Sequence, residues 1–298
     1  MFSGAFTALV TPFRNGELDV EALEGLVEFQ IQQGINGLVP CGTTGESPTL
    51  SEEEDRIVIE TVVRVTNGRV PVVAGTGSNS TGMAIKYTRM AEEAGADGSL
   101  QVAPYYNKPT QEGLFRHFAS IAESTSLPLV LYNIPGRTNV TINAETVAQL
   151  AEIPNIVGIK ESTLSMNMTS DIRRLCGEEF DILSGDDPVT LPLMALGGVG
   201  VISVASNIAP GAVSEMVEAM NSGDLARGRE LHYRLLPLIR ALSVETNPIP
   251  VKAAASLLGL CSDELRLPLV PMSGDNLRRL QEVMELSTDL LPTPEEVL

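Results

Sequence analysis

The stretch GVGVISVAS, residues 198–206, is the last of eight short apolar runs that recur along the chain, with helix-length segments between them. Most of these runs are apolar without alternation, which is the pattern of strands covered on both faces of a parallel sheet. The runs are AFTALV from Ala5, GLVPCG from Gly37, VPVVAGTG from Val70, GSLQVAPYY from Gly98, PLVLYNIP from Pro128, NIVGIKES from Asn155, FDILSGDD from Phe180 and GVGVISVAS from Gly198.

The presence of an eighth run distinguishes between two folds. The intervening segments have helical patterns; residues 51–68, for example, open with a serine suited to a helix N-cap and continue with an acidic first turn. An open doubly wound sheet usually has about five to seven strands, whereas eight strand–helix units predict a closed barrel. Only helical patterns follow Ile208. We therefore predict an α/β fold: a (β/α)8 TIM barrel over residues 1–224, which carries the active site, and a C-terminal helical region over residues 225–298.

The composition limits the classes of partner. The chain has 298 residues, of which 43% are hydrophobic and 19% charged, and a net charge of −18. Such an acidic surface disfavours nucleic acid and anionic membranes as partners, so an anionic substrate requires local positive groups. The least polar segment is too short and too rich in glycine for a membrane span. Three widely separated cysteines and an N-terminus without signal-peptide character predict a cytoplasmic protein.

Polar residues at the carboxyl ends of the predicted strands form the candidate active site, because that face carries the chemistry of (β/α)8 barrels. Only two histidines occur, His117 and His232, each in a helix-like segment, so we expect no metal centre. Asp186 and Asp187 could ligate a hard cation, but Asp-Asp-Pro is better explained as a helix N-cap. Five strand ends stand out: CGTTGES, APYYNKP, YNIPGRT, GIKES and LSGDD.

Lys160 ends one of these apolar runs and is the candidate nucleophile. Burial at a strand end favours the neutral amine, which attacks carbonyl groups, although an ion pair with Glu161 or another carboxylate at the barrel mouth is the simpler alternative. Tyr132 ends the neighbouring strand, and adjacent strands lie about 5 Å apart, so the phenol and amine could share a cavity. A phenol can make the proton transfers that imine formation requires. Taken alone, Tyr132 is better explained as a core aromatic.

Two further segments could bind carboxylates. The backbone N–H groups of GTTGE, residues 42–46, could converge on a carboxylate, although a plain strand-to-helix turn explains the segment equally well. Arg137 could bind a second carboxylate in bidentate fashion and would supply the local positive charge. A single loop arginine is more often a surface residue.

Almost end to end, the chain resembles the dihydrodipicolinate synthase family of the pyruvate-dependent class I aldolase superfamily. The resemblance implies that pyruvate condenses with L-aspartate 4-semialdehyde through a Schiff base on Lys160, the first committed step of diaminopimelate and lysine biosynthesis. It implies no metal and no organic cofactor. The motifs that carry it, in the family's order and spacing, are GTTGES, APYYNKP, YNIPGRT, GIKES, LSGDD, GVISVASN and NPIPVKAA.

The resemblance also implies a proton relay. Tyr132, Thr43 and Tyr106 would pass protons to and from the reacting atoms. Tyr106 would reach in from a neighbouring subunit of a homotetramer built as a dimer of dimers.

Substrate-binding roles are implied in the same way. The backbone of Thr43 and Thr44 would hold the pyruvate carboxylate, and Gly185 and Ile202 would contribute main-chain contacts. Arg137 would bind the carboxylate of aspartate semialdehyde.

Two other functions stay open at this point. N-acetylneuraminate and sugar-acid lyases resemble the chain in the lysine and tyrosine, but they typically lack an arginine at position 137 and carry GSTGE in place of GTTGE. A non-catalytic barrel that senses a small molecule is the alternative of another class, and it would leave Lys160 unreactive.

The resemblance departs at the feedback site. Lysine-sensitive bacterial members usually carry two histidines and a glutamate where this chain has Glu52, Asp55 and Met83. Losing the glutamate removes a partner for the inhibitor's ammonium group, although Glu52 or Asp55 could partly replace it. We therefore expect weak or absent inhibition by L-lysine. Three residues of this possible allosteric site are retained: Ser47, Asn79 and Tyr105.

Overall fold

Eight parallel strands form a closed barrel in a computed structural model of the chain, which describes residues 1–293 and residue 296. The strands are β1 Gly4–Ala8, β2 Gly37–Val39, β3 Val73–Gly75, β4 Gly98–Val102, β5 Leu129–Asn133, β6 Ile156–Glu161, β7 Asp181–Ser184 and β8 Gly200–Ser203. Their hydrogen-bonded order is β2-β1-β8-β7-β6-β5-β4-β3, and a parallel bridge between Leu38 and Val72 joins the two outer strands. The predicted (β/α)8 barrel is therefore confirmed.

Helices follow the strands and surround the barrel. A short antiparallel ribbon, Phe13–Arg14 with Glu17–Leu18, precedes the first helix. Single 3-10 turns occur at Ser47–Thr49, Asp187–Val189 and Ala205–Asn207. The α-helices are α1 Val20–Gln32, α2 Glu52–Thr66, α3 Thr81–Glu93, α4 Gln111–Ala122, α5 Pro135–Thr138, α6 Ala144–Leu150, α7 Met166–Cys176, α8 Thr190–Ala195, α9 Pro210–Asn221, α10 Leu225–Ala241, α11 Ile249–Leu257 and α12 Gly274–Glu285.

The start of α2 shows how local sequence sets a helix boundary. The Ser51 hydroxyl accepts a hydrogen bond from the Glu54 N–H at 3.3 Å, and the Glu54 carboxylate accepts one from the Ser51 N–H at 2.8 Å. This reciprocal capping box satisfies two N–H groups that a helix start leaves free. The helix ends at Asn67, whose φ of 48° lies in the left-handed region. The predicted N-cap at Ser51 is confirmed.

The strands are buried on both faces, which explains their unbroken apolar sequences. Phe6, Leu100, Val130 and Leu183 fill the barrel interior, and a second apolar layer packs between the strands and the helices. Gly37 on β2 is the register partner of Phe6 on β1, and a Cβ at Gly37 would lie 2.1 Å from the Phe6 ring. A glycine is therefore needed at position 37 for the Phe6 ring to fill the barrel.

The C-terminal helices continue the same hydrophobic core. Leu231 and Leu235 of α10 belong to one buried cluster with Val213 and Met216 of α9. The predicted boundary falls at Asp224, whose carboxylate caps α10 by accepting from the Arg227 N–H at 3.0 Å. The division into residues 1–224 and 225–298 stays a prediction, and residues 294, 295, 297 and 298 lie outside the described residues. Among the helices of the described residues, none combines the length with the apolar character that a membrane span requires.

Candidate active site

A cavity of about 530 Å³ opens at the carboxyl ends of the barrel strands. It is the natural place for a site, because strand ends in a closed parallel barrel converge on one face. The walls also include the segment from Ser243 to Asn247, between α10 and α11. Of the predicted catalytic and binding residues, those that line this cavity are Thr43, Thr44, Tyr132, Arg137, Lys160 and Gly185.

Lys160 and Tyr132 meet in this cavity, as their strand positions predict. They are Cα partners in the register of β6 with β5, and the Lys160 Nζ lies 4.3 Å from the centroid of the Tyr132 ring. Each side chain is only 5% exposed. An amine and a phenol are therefore held together, both largely buried, at the wall of a cavity where a carbonyl substrate could contact both.

The alternative ion pair between Lys160 and Glu161 is wrong. Successive side chains of a strand point to opposite faces, and Glu161 faces away from the cavity. Its carboxylate accepts from Asn133 Nδ2 at 3.1 Å and from the Thr163 N–H at 2.6 Å. Burial raises the pKa of Glu161, against these hydrogen bonds. Within the described residues, no carboxylate oxygen lies within 4.0 Å of the Lys160 amine.

Gly185 provides space for the Lys160 side chain. A Cβ at position 185 would lie 1.8 Å from Ser162 Oγ and 2.9 Å from Lys160 Cε. Ser162 is 7% exposed, and its hydroxyl finds no partner among the described residues. Sequence reasoning gave Ser162 no role at this site, although the quoted GIKES motif ends on this residue.

The GTTGE turn lies at the cavity wall. Within the described part of the chain, the N–H groups of Thr43 and Thr44 donate to no protein acceptor. The turn is closed by a hydrogen bond from the Gly45 N–H to the Gly42 carbonyl at 3.1 Å, and Thr11 Oγ1 donates to the Gly45 carbonyl at 2.7 Å. Free N–H groups next to a cavity are suited to binding an anion.

Asn247 connects this turn to Arg137. Its Nδ2 donates to Thr44 Oγ1 at 3.0 Å, and its backbone carbonyl accepts from Arg137 Nη2 at 3.0 Å. An arginine carries five donors, and among the described residues the other guanidinium N–H groups of Arg137 have no hydrogen-bond partner, so they are available to a ligand. Asn247 was missed as a site residue, although NPIPVKAA was among the quoted motifs.

Asp186 and Asp187 differ from their predicted role as a helix N-cap. Asp186 precedes the 3-10 turn but caps it with no side-chain hydrogen bond. The Asp187 carboxylate instead accepts from the Ser203 hydroxyl and from the Val204 and Ala205 N–H groups, and so ties the end of β7 to the end of β8. Tertiary contacts replace the local cap here.

Asp186 contributes an unusual carboxyl group to the cavity wall. Burial raises its pKa to about 6, although Lys160 nearby opposes the shift.

No group of three or more His, Cys, Asp or Glu side chains suited to a metal ion occurs in residues 1–293 or at residue 296.

Two predicted residues lie apart from the cavity. Ile202 is 1% exposed in the barrel-interior cluster, with Val130 and Leu183. Tyr106 is 89% exposed on the loop after β4, with a φ of 73° in the left-handed region. Within one chain, Tyr106 therefore does not meet Tyr132.

Part of the possible allosteric site lines a second cavity, of about 400 Å³. Its walls include Ser47, Asp55, Met83 and Tyr105, and it shares Arg137 with the first cavity. Burial raises the pKa of Asp55 to about 6.

The other two positions of that site have different surroundings. Glu52 pairs instead with Lys86, at 2.7 Å on the surface. The Asn79 carbonyl accepts from Asn107 Nδ2 at 2.9 Å.

Comparison with known proteins gives one consistent result. The profile of the dihydrodipicolinate synthetase family matches residues 1–286. A 4-hydroxy-tetrahydrodipicolinate synthase from Geobacter sp. (strain M21) is 56% identical over 285 residues, covering 96% of this chain and 98% of its own. The dihydrodipicolinate synthase of Aquifex aeolicus superposes with a TM-score of 0.96 at 50% identity, covering 98% and 100% of the two chains.

A structure solved with pyruvate is similar as well. The chloride-inhibited dihydrodipicolinate synthase of Acinetobacter baumannii, complexed with pyruvate, superposes with a TM-score of 0.95 at 44% identity, covering 98% of this chain and 100% of its own. The profile match and the relatives each extend over nearly the whole chain. The chain therefore belongs to the dihydrodipicolinate synthetase family.

Proposed function

We propose that the chain is an enzyme with 4-hydroxy-tetrahydrodipicolinate synthase activity, a Schiff-base-forming lyase that condenses pyruvate with L-aspartate 4-semialdehyde. The observation that carries this proposal is the buried Lys160 amine, 4.3 Å from the Tyr132 ring, in a cavity that is also lined by a guanidinium group and by backbone N–H groups with no acceptor among the described residues. An amine, a proton carrier and two carboxylate-binding elements are what this reaction requires.

In the first half of the reaction, the Lys160 amine adds to the keto carbon of pyruvate. Loss of water then leaves an imine, and Tyr132 is placed to supply and remove the protons that move in these steps. The free N–H groups of Thr43 and Thr44 would hold the pyruvate carboxylate. Removal of a proton from the pyruvate methyl carbon gives an enamine, with the protonated imine nitrogen as the electron sink.

In the second half, the enamine carbon attacks the aldehyde carbon of aspartate semialdehyde and forms the new C–C bond. The substrate amine then displaces the Lys160 amine at the former keto carbon, which closes the ring and frees the enzyme. Arg137 would bind the carboxylate of the aldehyde substrate. The Asn247 carbonyl oxygen accepts a hydrogen bond from this guanidinium and so already restricts its rotamers. Arg137 therefore loses less conformational entropy when the substrate binds.

Borohydride reduction in the presence of pyruvate, followed by peptide mass mapping, tests the nucleophile. We expect a stable adduct on Lys160, no adduct in Lys160→Ala, and an unchanged adduct in the surface variant Lys86→Ala. An adduct on another residue, or none in the wild-type protein, would contradict the proposal. A sensor barrel would likewise form no adduct.

The acceptor is tested by a direct comparison. Aspartate semialdehyde should turn over far better than N-acetylmannosamine or glyceraldehyde, because Arg137 offers a charge that only a carboxylate-bearing acceptor uses. A preference for either sugar-derived acceptor would instead favour a lyase of the sialic acid or sugar-acid type.

We further propose a homotetramer, a dimer of dimers, in which the exposed Tyr106 completes the relay with Thr43 and Tyr132 in a neighbouring subunit. Main-chain contacts with the substrate from Gly185, which lines the cavity, and from Ile202, which does not, stay predictions. Light scattering across protein concentration tests the assembly. Because the reaction belongs to amino-acid biosynthesis, the cytoplasm stays the predicted location.

A further inference from the structure

The motif NPIPVKAA, residues 247–254, contains a lysine that the chemistry above leaves without a role. Lys252 lies on α11, and its Nζ contacts Glu46 Oε1 at 2.6 Å. The two side chains are 0% and 1% exposed. A fully buried ion pair thus joins the C-terminal helical region to the last residue of the GTTGE turn.

Both oxygens of the Glu46 carboxylate bind this region. Oε2 accepts from the Arg266 N–H at 3.1 Å, in the segment between α11 and α12. The Lys252 amine also lies 4.1 Å from the centroid of the Phe13 ring. Burial lowers the pKa of Lys252, and the Glu46 carboxylate opposes that shift.

Stability alone is a poor explanation for the Lys252–Glu46 ion pair. A buried ion pair adds little net stability over apolar side chains of the same shape, because both charges lose their hydration. What the pair does provide is a fixed geometry. Glu46 has a φ of 56°, in the left-handed region that side chains with a Cβ disfavour, and its N–H donates to the Thr43 carbonyl at 3.1 Å.

We propose that Lys252 is a positioning residue for the pyruvate site. Its ion pair holds Glu46 in the left-handed conformation, which orients the N–H groups of Thr43 and Thr44 toward the pyruvate carboxylate. The C-terminal helical region thereby adds to the contacts, such as that from Thr11 Oγ1 to the Gly45 carbonyl, by which the barrel holds this turn. This inference rests on the proposed pyruvate chemistry.

The test separates positioning from stability with two variants. Lys252→Met removes the cation and leaves Glu46 buried and unpaired, so it should lower both thermal stability and pyruvate affinity. Lys252→Met combined with Glu46→Gln leaves no unpaired charge, so its melting temperature should recover. If Lys252 positions the turn, the double variant should still need about tenfold more pyruvate than wild type for half-saturation of borohydride trapping. Its KM for aspartate semialdehyde should differ from that of wild type by less than about twofold. Lys86→Met, which breaks the exposed pair with Glu52, is the matched control and should match wild type.

Each result supports or overturns the inference. Recovery of wild-type pyruvate saturation in the double variant would mean that the ion pair only stabilises the fold, and normal saturation in a folded Lys252→Met protein would mean the same. Wild-type protein that traps no pyruvate on Lys160 would overturn the proposed function and this inference with it.

Discussion

Replacement of Gly185 by alanine is a sharp test of how the Lys160 amine is placed. The backbone at Gly185 has no positive φ, so alanine is conformationally allowed and the effect is steric. To reach ordinary van der Waals distance from the new Cβ, Ser162 Oγ would have to move away by about 1.6 Å and Lys160 Cε by about 0.5 Å. The serine hydroxyl can rotate away, but the lysine stem is confined by Tyr132 and the barrel wall.

Because a misplacement of about 1 Å can cost roughly 100-fold in rate, we expect imine formation with pyruvate to slow by roughly 10- to 100-fold, or about 1.4 to 2.7 kcal/mol in the barrier. The assay is the rate of borohydride-trapped adduct at saturating pyruvate. Gly25→Ala is the control, since a Cβ there meets nothing within 4 Å and only helix propensity changes.

A second variant identifies which contact matters. Gly185→Ala with Ser162→Ala removes the 1.8 Å overlap but keeps the overlaps with Lys160 at 2.9 and 3.0 Å. Most of the rate loss should therefore persist. Wild-type trapping rates in Gly185→Ala would refute the reasoning, and full recovery in the double variant would assign the effect to Ser162 instead of Lys160.

Three other predictions follow from the same geometry. Arg137→Ala should raise KM for aspartate semialdehyde by roughly 10- to 100-fold, since a charged hydrogen bond contributes about 1.5 to 3 kcal/mol, while pyruvate trapping stays near wild type; an unchanged KM would contradict the assigned role. Asp55→Asn should raise the unfolding free energy at pH 8 by up to about 3 kcal/mol, because burial raises the Asp55 pKa from 3.8 to about 6, so that ionisation destabilises the fold as pH rises through that window. In thermal melts this gain should shrink toward zero as pH falls to 3.8, and a gain independent of pH would point to another cause. L-lysine should inhibit weakly or not at all, because Met83 offers no charge and Glu52 is engaged by Lys86; inhibition at micromolar lysine in a steady-state assay would show this to be wrong.

The barrel strands were predictable because each is covered on both faces, so the apolar runs needed no knowledge of the partners. The meeting of Lys160 with Tyr132 followed as well, since consecutive strands in a βα barrel are neighbours and their ends are level. These inferences use only local pattern and strand order.

The contacts that sequence reasoning missed join distant segments. Asn247 and Thr44 are 203 residues apart, and Lys252 and Glu46 are 206 apart. The hydrophobic periodicity of the sequence predicts that α11 is a helix but not which part of the barrel it contacts. The prediction that Asp187 belongs to a helix N-cap was wrong for a related reason. Its carboxylate accepts from three donors in β8 and the turn after it, and the local sequence pattern does not show these tertiary contacts.

The pairing of Phe6 with Gly37 has a consequence for how this barrel can diverge. The two positions share one volume, so a larger residue at 37 requires a smaller one at 6. Among relatives, substitutions at these positions should occur as compensating pairs, large with small. An engineered Gly37→Val should fail alone and be rescued by Phe6→Ala, which would transfer bulk from one strand to its neighbour while the interior beneath the catalytic residues stays filled.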